Sequence, residues 1–268
     1  MTAAPTAAAR RAAVAAAFGA AAGTYDAAAD LQRLVAGRLA RRLAALPLGN
    51  APTILEIGCG TGLLSHALLT RWPEARLLIT DLSAPMVAHC RRRLGEDPGR
   101  SFIVMDGERP CLSPNRGRFD LVCASLALQW FDDPGGALAA WAGLLRPGGH
   151  LAFATLAAGS LAEWRTAHAA LGLTAGVADY PDADRLSGLW PSGGSGRIEI
   201  EPTPCACPDG HAFVAGLRHI GAHLPTPDRR PLPAGTLRRV LRRFERADGV
   251  IVTYQVAYGA FRRDWDRP

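Results

Sequence analysis

Ile54 to Ile57 are apolar except for Glu56, and they run into Gly58-Cys59-Gly60-Thr61-Gly62, with a helix-like segment from Leu63 to Arg71 following at once. A strand, a glycine-rich turn and a helix in that order constrain this chain more than any other feature. Glycines at such a turn let the backbone approach a ligand with no Cβ in the way, and the helix N-terminus offers unpaired N–H groups. The spacing is Gly-x-Gly-x-Gly, not the Gly-x-Gly-x-x-Gly that cradles a dinucleotide pyrophosphate. Glu56 would repel a pyrophosphate and attract an ammonium group. Glu56, Gly58, Gly60 and Gly62 therefore read as the seat of an amino-acid headgroup such as that of S-adenosylmethionine.

Two further apolar runs end in acids. Leu77 to Asp81 reads as a second buried strand, about twenty residues on, where a carboxylate can grip a ribose diol. Ser101 to Asp106 reads as a third, with Asp106 able to accept the exocyclic amine of adenine and with Met86 and Gly107 bracketing its ring. Each acid alone could be a helix cap; three at successive strand ends make that unlikely as a common explanation. Strands at 53–58, 76–81, 101–105, 119–124 and 149–155 alternate with helices at 63–72, 84–94 and 134–145. Such alternation predicts an α/β fold with a mostly parallel sheet, and ligands sit at the carboxyl ends of its strands.

Outside that core the rhythm changes. A helix over Ala7 to Phe18 is expected from its alanines, although Arg10-Arg11 before an apolar run loosely imitates an export signal. A second helix, capped by Asp26 or Asp30, carries Leu31, Leu34, Val35, Leu39, Leu43 and Leu46 and ends at Pro47 and Gly49. After residue 157 come helices at 161–172, 182–190, 209–223 and 234–247, a Gly/Ser-rich loop at 192–196, a strand from Arg197 to Pro202 and a last strand from Val250 to Ala260. The last alternates partly, as an antiparallel partner does. No apolar run of about eighteen residues is free of turn signals, so no membrane span is expected. The six cysteines are scattered in a chain of 268 residues, which needs no staples; reduced thiols and a cytoplasmic location are the expectation. Cys205-x-Cys207, with His219 and His223 nearby, lacks zinc-site spacing, and no metal is expected.

The glycine turn with its downstream acids resembles, over residues 50–155, the class I S-adenosylmethionine-dependent methyltransferases. Further segments narrow the likeness: Phe18, Ala21, Ala22, Tyr25, Ala29, Leu31 and Gln32; Ser125-Leu126-Ala127-Leu128-Gln129-Trp130; Thr155-Leu156 with Gly159-Ser160-Leu161 and Glu163; Leu217-Arg218 with Ile220-Gly221-Ala222; and Thr253-Tyr254. Together they resemble the malonyl-[acyl-carrier protein] O-methyltransferases of biotin synthesis across nearly the whole chain. Ser125 stands where that family often has Asn, and both can hydrogen-bond; Ser125 is grouped with the cofactor residues. The resemblance implies one Rossmann-like domain over 1–268, with N-terminal helices (1–49), a donor-binding core (50–156) and substrate-side helices and last strands (157–268). It implies a seven-stranded sheet with an antiparallel last strand. It also implies S-adenosylmethionine as methyl donor, S-adenosylhomocysteine as product, and methylation of the free carboxylate of a malonyl thioester.

A carboxylate with a pKa of about 4 is already ionised at neutral pH, so no general base is needed. One cation is expected to hold it, and Arg218 lies in a family-like segment; a surface salt bridge is the alternative. Gln129 could orient an ester or amide carbonyl, Trp130 could exclude water, and Tyr25 could close an N-terminal helix over the donor, though Trp130 could equally be core packing and Tyr25 could simply pin that helix to the domain. Net charge is +6, and every basic residue is Arg. Arg238, Arg239, Arg242 and Arg243 cover one side of the run 236–246 and could dock an acidic carrier protein; such runs are more often solvated faces. Nucleic-acid methylation is disfavoured, because Ala124-Ser125-Leu126-Ala127 replaces the Asn/Asp-Pro-Pro-aromatic motif that such chemistry uses. The competing expectation is methylation of another small carboxylic acid or a secondary metabolite; a non-catalytic methyltransferase-like partner protein is a third, against which the intact Glu56, Asp81 and Asp106 speak.

Overall fold

The computed structural model describes residues 6–112, 118–222, 232–245 and 249–265. Seven strands form one sheet: β1 (Thr53–Ile57), β2 (Arg76–Asp81), β3 (Arg100–Val104), β4 (Phe119–Ser125), β5 (Leu145–Leu156), β6 (Gly194–Cys207) and β7 (Val250–Arg263), in the order β3-β2-β1-β4-β5-β7-β6. The pairs β3–β2, β2–β1, β1–β4 and β4–β5 are parallel, whereas β7 is antiparallel to both β5 and β6. The antiparallel last strand is thus as expected. The chain order reverses between β1 and β4, which opens a crevice above their carboxyl ends.

Helices cover both faces. On one lie α3 (Asp30–Leu43), α4 (Leu63–Arg71), α5 (Ala84–Leu94), α7 (Ala162–Ala169) and α10 (Ala234–Phe244); on the other α6 (Pro134–Leu144) buries Leu138 and Trp141. The central strands are therefore apolar on both faces; Leu55, Leu121, Val122 and Phe153 have no exposed surface. Two short helices, α2 (Tyr25–Ala28) and α8 (Ala183–Ser187), and the longer α1 (Ala7–Ala21) and α9 (Gly210–His219) complete the chain. Among the described residues no helix is long and apolar enough to cross a membrane.

Several boundaries differ from expectation. Neither Asp26 nor Asp30 caps α3 with its side chain. Asp26 instead accepts hydrogen bonds from the Thr61 hydroxyl (2.6 Å) and from Arg93 Nη1 (2.9 Å), pinning α2 to the glycine turn and α5. The Gly/Ser-rich stretch is partly strand, because β6 begins at Gly194: a Cβ on Gly196 would collide with the Trp190 ring. The turn composition there is steric room for an aromatic ring, not flexibility. Residues 182–190 hold only a five-residue helix, and His223 and Arg246 lie outside the described residues.

Candidate active site

β1 delivers the chain to the turn and α4 carries it away. Gly58, Gly60 and Gly62 all have positive φ (70°, 54° and 89°). A Cβ at Gly58 would strike the Ala127 methyl and one at Gly62 would strike Cys90 Sγ, but at Gly60 nothing lies within 4 Å. Two glycines are thus needed for packing, and the middle one leaves open space beside the backbone. Gly60 N–H is held by Asp81 Oδ2 (2.9 Å), while Asp81 Oδ1 accepts from Ser83 N–H (2.8 Å). Burial raises the Asp81 pKa above the usual carboxylate range, and those backbone donors oppose the rise.

Glu56 is 1% exposed and accepts a hydrogen bond from the Ser65 hydroxyl of α4. Burial pushes its carboxyl up to about 7; Ser65 pulls the other way, and the nearby Asp81 charge adds to the rise. A recess beside it is lined by Tyr25, Gln32, Glu56, Gly58, Gly60 and Ser125, among others. Gln32 Oε1 is buried there with no hydrogen-bond partner. A raised carboxyl and an orphaned amide oxygen in one recess form an acceptor-rich seat that an ammonium donor completes.

Next to this recess is a narrow cleft that opens to solvent. Asp81, Met86, Met105, Asp106, Gly107 and Ser125 line it, with Arg11, Val14 and Phe18 of α1 on its outer side. Asp106 Oδ1 accepts from Glu108 N–H (3.0 Å), and its Oδ2 is 3.2 Å from Arg11 Nε. Gly107 is fixed by packing as well: a Cβ would strike Ile57, and its carbonyl accepts from Trp141 Nε1 (2.7 Å).

A second, larger cavity, of about 490 Å³, lies between α1, α3, α9, β6 and β7 and is mostly apolar. The two cavities share Val14, Phe18, Tyr25, Leu126 and Trp130. Phe18 meets the Trp130 ring edge-on at 5.2 Å and Tyr25 at 6.4 Å. Tyr25 alone among these also lines the recess of Glu56. Its phenol is pushed well above the ordinary tyrosine range by burial first, then by Asp81 and Asp26. It stays protonated and can only donate or accept a hydrogen bond; it cannot act as a base near neutrality.

Leu126, at the junction, has φ +53°, a left-handed conformation that costs a branched residue about 1–3 kcal/mol. Its amide donates to Ala154 O (2.8 Å) and its carbonyl accepts from Gln129 Nε2 (2.8 Å). Gln129 Oε1 in turn accepts from the Thr155 hydroxyl (3.1 Å). The Gln129 amide thus holds Leu126 and Thr155, and its second N–H is left over on the wall of the larger cavity.

Arg218 is not brought to the site. Ala212, Phe213, Gly216 and Leu217 present one face of α9 to the larger cavity, joined by Ile220 just beyond it. Arg218, a hundred degrees around from Leu217, is exposed and lines neither cavity. The expected cation was thus set aside by helical phase, which a motif match does not encode. Among the described lining residues of the larger cavity only Arg10 is cationic, and it is paired with Asp132. Cys205 and Cys207 line this cavity as free thiols; burial pushes Cys205 up to about 11. Among the described residues no His/Cys/Asp/Glu group could hold a metal. Gln32 and Arg11 were not singled out from sequence as site residues. Gln32 stood within the family-like N-terminal segment; Arg11 had the look of an export signal.

Residues 54–149 match the methyltransferase domain family. The chain is 46% identical over 244 residues to the malonyl-[acyl-carrier protein] O-methyltransferase of Magnetococcus marinus, covering 90% of this chain and 89% of that one. It is 46% identical over 247 residues to the biotin biosynthesis bifunctional protein BioCD of Bordetella avium, covering 92% of this chain and 51% of that one. With the malonyl-[acyl-carrier protein] O-methyltransferase of Pseudescherichia vulneris it shares 36% identity over 261 residues, 94% of this chain and 97% of that one. The fold is similar to the YcgJ protein of Bacillus subtilis (TM-score 0.60, 11% identity, 86% and 99% covered). It is also similar to phosphoethanolamine N-methyltransferase 2 of Haemonchus contortus solved with S-adenosyl-L-methionine (TM-score 0.57, 16% identity, 91% and 56% covered).

Proposed function

The chain belongs to the malonyl-[acyl-carrier protein] O-methyltransferases, and from that premise we propose how its residues carry out the transfer. It is an S-adenosylmethionine-dependent enzyme that methylates the free carboxylate of a malonyl thioester on acyl-carrier protein, in biotin synthesis. The observation that carries the proposal is the meeting of two cavities, one walled by the strand-end acids Asp81 and Asp106 and one larger, at Phe18, Tyr25, Leu126 and Trp130.

Glu56 and Gln32 would receive the donor's ammonium, Gly58, Gly60 and Gly62 the methionine backbone, Asp81 the ribose, and Asp106, Met86 and Gly107 the adenine; Ser125, on the walls of both the cleft and the recess, would add a hydroxyl. The orphaned Gln32 oxygen, the open space at Gly60 and the raised Glu56 carboxyl fit that group. When bound, S-adenosylmethionine supplies an electrophilic methyl group. The protein's work is alignment and exclusion of water. Holding reactants in near-attack geometry can supply ~7–11 kcal/mol, with no proton to remove from an ionised carboxylate. Phe18, Leu126 and Trp130 form the dry collar; Gln129 acts through Leu126. The Tyr25 hydroxyl donates to the substrate carboxylate and turns its free oxygen toward the methyl group. Arg218 is assigned no contact with that carboxylate.

Docking of the carrier protein falls to Arg238, Arg239, Arg242 and Arg243. All four are exposed on α10, whose Val240, Leu241 and Phe244 are buried, and no ion pair engages them among the described residues.

The test is methyl transfer from labelled donor to malonyl-carrier protein, malonyl-CoA and an unrelated diacid. Transfer to the malonyl thioesters is expected, and Tyr25→Phe is expected to slow it at least about tenfold while S-adenosylhomocysteine affinity stays within about threefold. Undiminished transfer by Tyr25→Phe removes that residue from the role. Transfer to the diacid alone favours the small-acid alternative.

A further inference from the structure

The first helix does more than cover the site. Arg11, Val14 and Phe18 recur at helical spacing and all three line the donor cavity. Arg11 is the single cation on that lining. Its Nε sits 3.2 Å from Asp106 Oδ2, and its Nη1 is 3.8 Å from Asp132 Oδ2, beyond hydrogen-bonding reach. Nη1 is also shut off from solvent with no hydrogen-bond partner. A guanidinium N–H that gives up water without gaining an acceptor is costly, and such an orphan calls for an explanation. The neighbouring Arg10 needs none, because its Nη1 is hydrogen-bonded to Asp132 Oδ1.

Asp106 has its own arithmetic. A carboxylate has about four lone-pair sites. The Glu108 N–H takes one on Oδ1, and the ion-pair contact of Arg11 Nε occupies at most one on Oδ2. At least two remain, enough for an exocyclic amine. An adenine edge presents that amine flanked on either side by a ring nitrogen, N1 or N7, that is an acceptor. Carboxylate acceptor and guanidinium donor side by side are the complement of that edge.

We infer that Arg11 is an adenine-binding residue: Nε holds Asp106 toward the amine while Nη1 donates to the adjacent ring nitrogen. This rests on the donor assignment made above, and it extends adenine recognition from the loop after β3 to the N-terminal helix. The buried Nη1 then finds its acceptor only when the donor is in place, so donor binding and seating of α1 are coupled. Asp132, which pairs with Arg10 and stands near Arg11, supplies the counter-charge before the donor arrives.

Calorimetric binding separates the possibilities without any turnover. S-adenosylhomocysteine and its 1-deaza and 7-deaza analogues are titrated into the full-length protein, into Arg11→Met and into Arg10→Met. The native protein is expected to bind one of the two deaza analogues at least about tenfold more weakly than the parent, the loss of one charge-assisted hydrogen bond. Arg11→Met is expected to bind the parent and that analogue equally. Arg10→Met, which breaks the neighbouring strap to α1, is expected to keep the native discrimination, so a general loosening of the helix is told apart from a lost contact. If the native protein binds both analogues as tightly as the parent, or if Arg11→Met keeps the discrimination, the inference is overturned and the donor assignment stands. If the native protein binds none of the three ligands, the donor assignment itself falls.

Discussion

Glu56 shows how one side chain can couple ligand binding to protons. Its ordinary pKa is near 4.5, and burial takes it to about 7 in the folded protein. Below 4.5 both folded and unfolded chains hold the proton. Between 4.5 and 7 the folded chain keeps it and the unfolded chain does not, so stability falls as pH rises through that window, by up to about 3 kcal/mol, and levels off above it. The unliganded protein should therefore melt at progressively lower temperature from pH 5 to 7, and Glu56→Gln should flatten that slope. Only the ionised carboxylate pairs with an ammonium group. Affinity for S-adenosylhomocysteine should rise about tenfold from pH 6 to the plateau above 7, with loss of that rise in Glu56→Gln. Equal slopes for the two proteins, in melting and in calorimetry, would contradict both statements. Glu56 itself was legible from sequence as an acid before a glycine turn. Its partner Ser65, nine residues on, was not, because the contact depends on α4 folding back over β1.

Among elements, the outer strand β6 is held in a way that periodicity conceals. It is an edge, and Pro202, Pro204, Glu199 and Glu201 keep it from templating another chain. Arg42 of α3 reaches across to it: the guanidinium ion-pairs with Glu201, lies 3.8 Å from Glu199 and stacks 3.9 Å from the Tyr258 ring centre on β7. Arg38 adds a hydrogen bond to the Thr203 hydroxyl (2.7 Å). Arg42→Met keeps most of the apolar stem and loses the charge, and it should cost about 1–2 kcal/mol in urea unfolding, since the group is half-buried and carries a cation–π contact. A change under about 0.3 kcal/mol would show the cluster to be a solvated pair. On the same face of the sheet, α7 is tied to β7 by Glu163, whose carboxylate accepts from both the N–H (3.0 Å) and the hydroxyl (2.6 Å) of Thr253. Ser160 likewise bridges Ala157 and Gln255. These family-like residues in the last third therefore work as architecture around the larger cavity.

For the whole molecule, charge and topology meet. The net charge of +6 and the free arginines of α10 predict that transfer to malonyl-carrier protein falls steeply with salt, whereas transfer to malonyl-CoA falls less. Reversing Arg238 and Arg242 to Glu should raise KM for the carrier substrate at least about tenfold and leave kcat with the CoA thioester within about twofold; equal effects on both substrates would move docking elsewhere. The α/β alternation and the antiparallel last strand followed from residue order, because periodicity is a local property, and the seven-stranded sheet was what the family resemblance implied. The left-handed Leu126, the capture of the Gln129 amide, the outward phase of Arg218 and the inward turn of Arg11 are not local. Each depends on which face of an element meets a cavity wall built from segments more than a hundred residues apart. Sequence alone thus determined the fold and the kind of methyl donor this chain uses; tertiary packing decided which side chains line the two cavities, since only folded geometry sets the direction in which a side chain points.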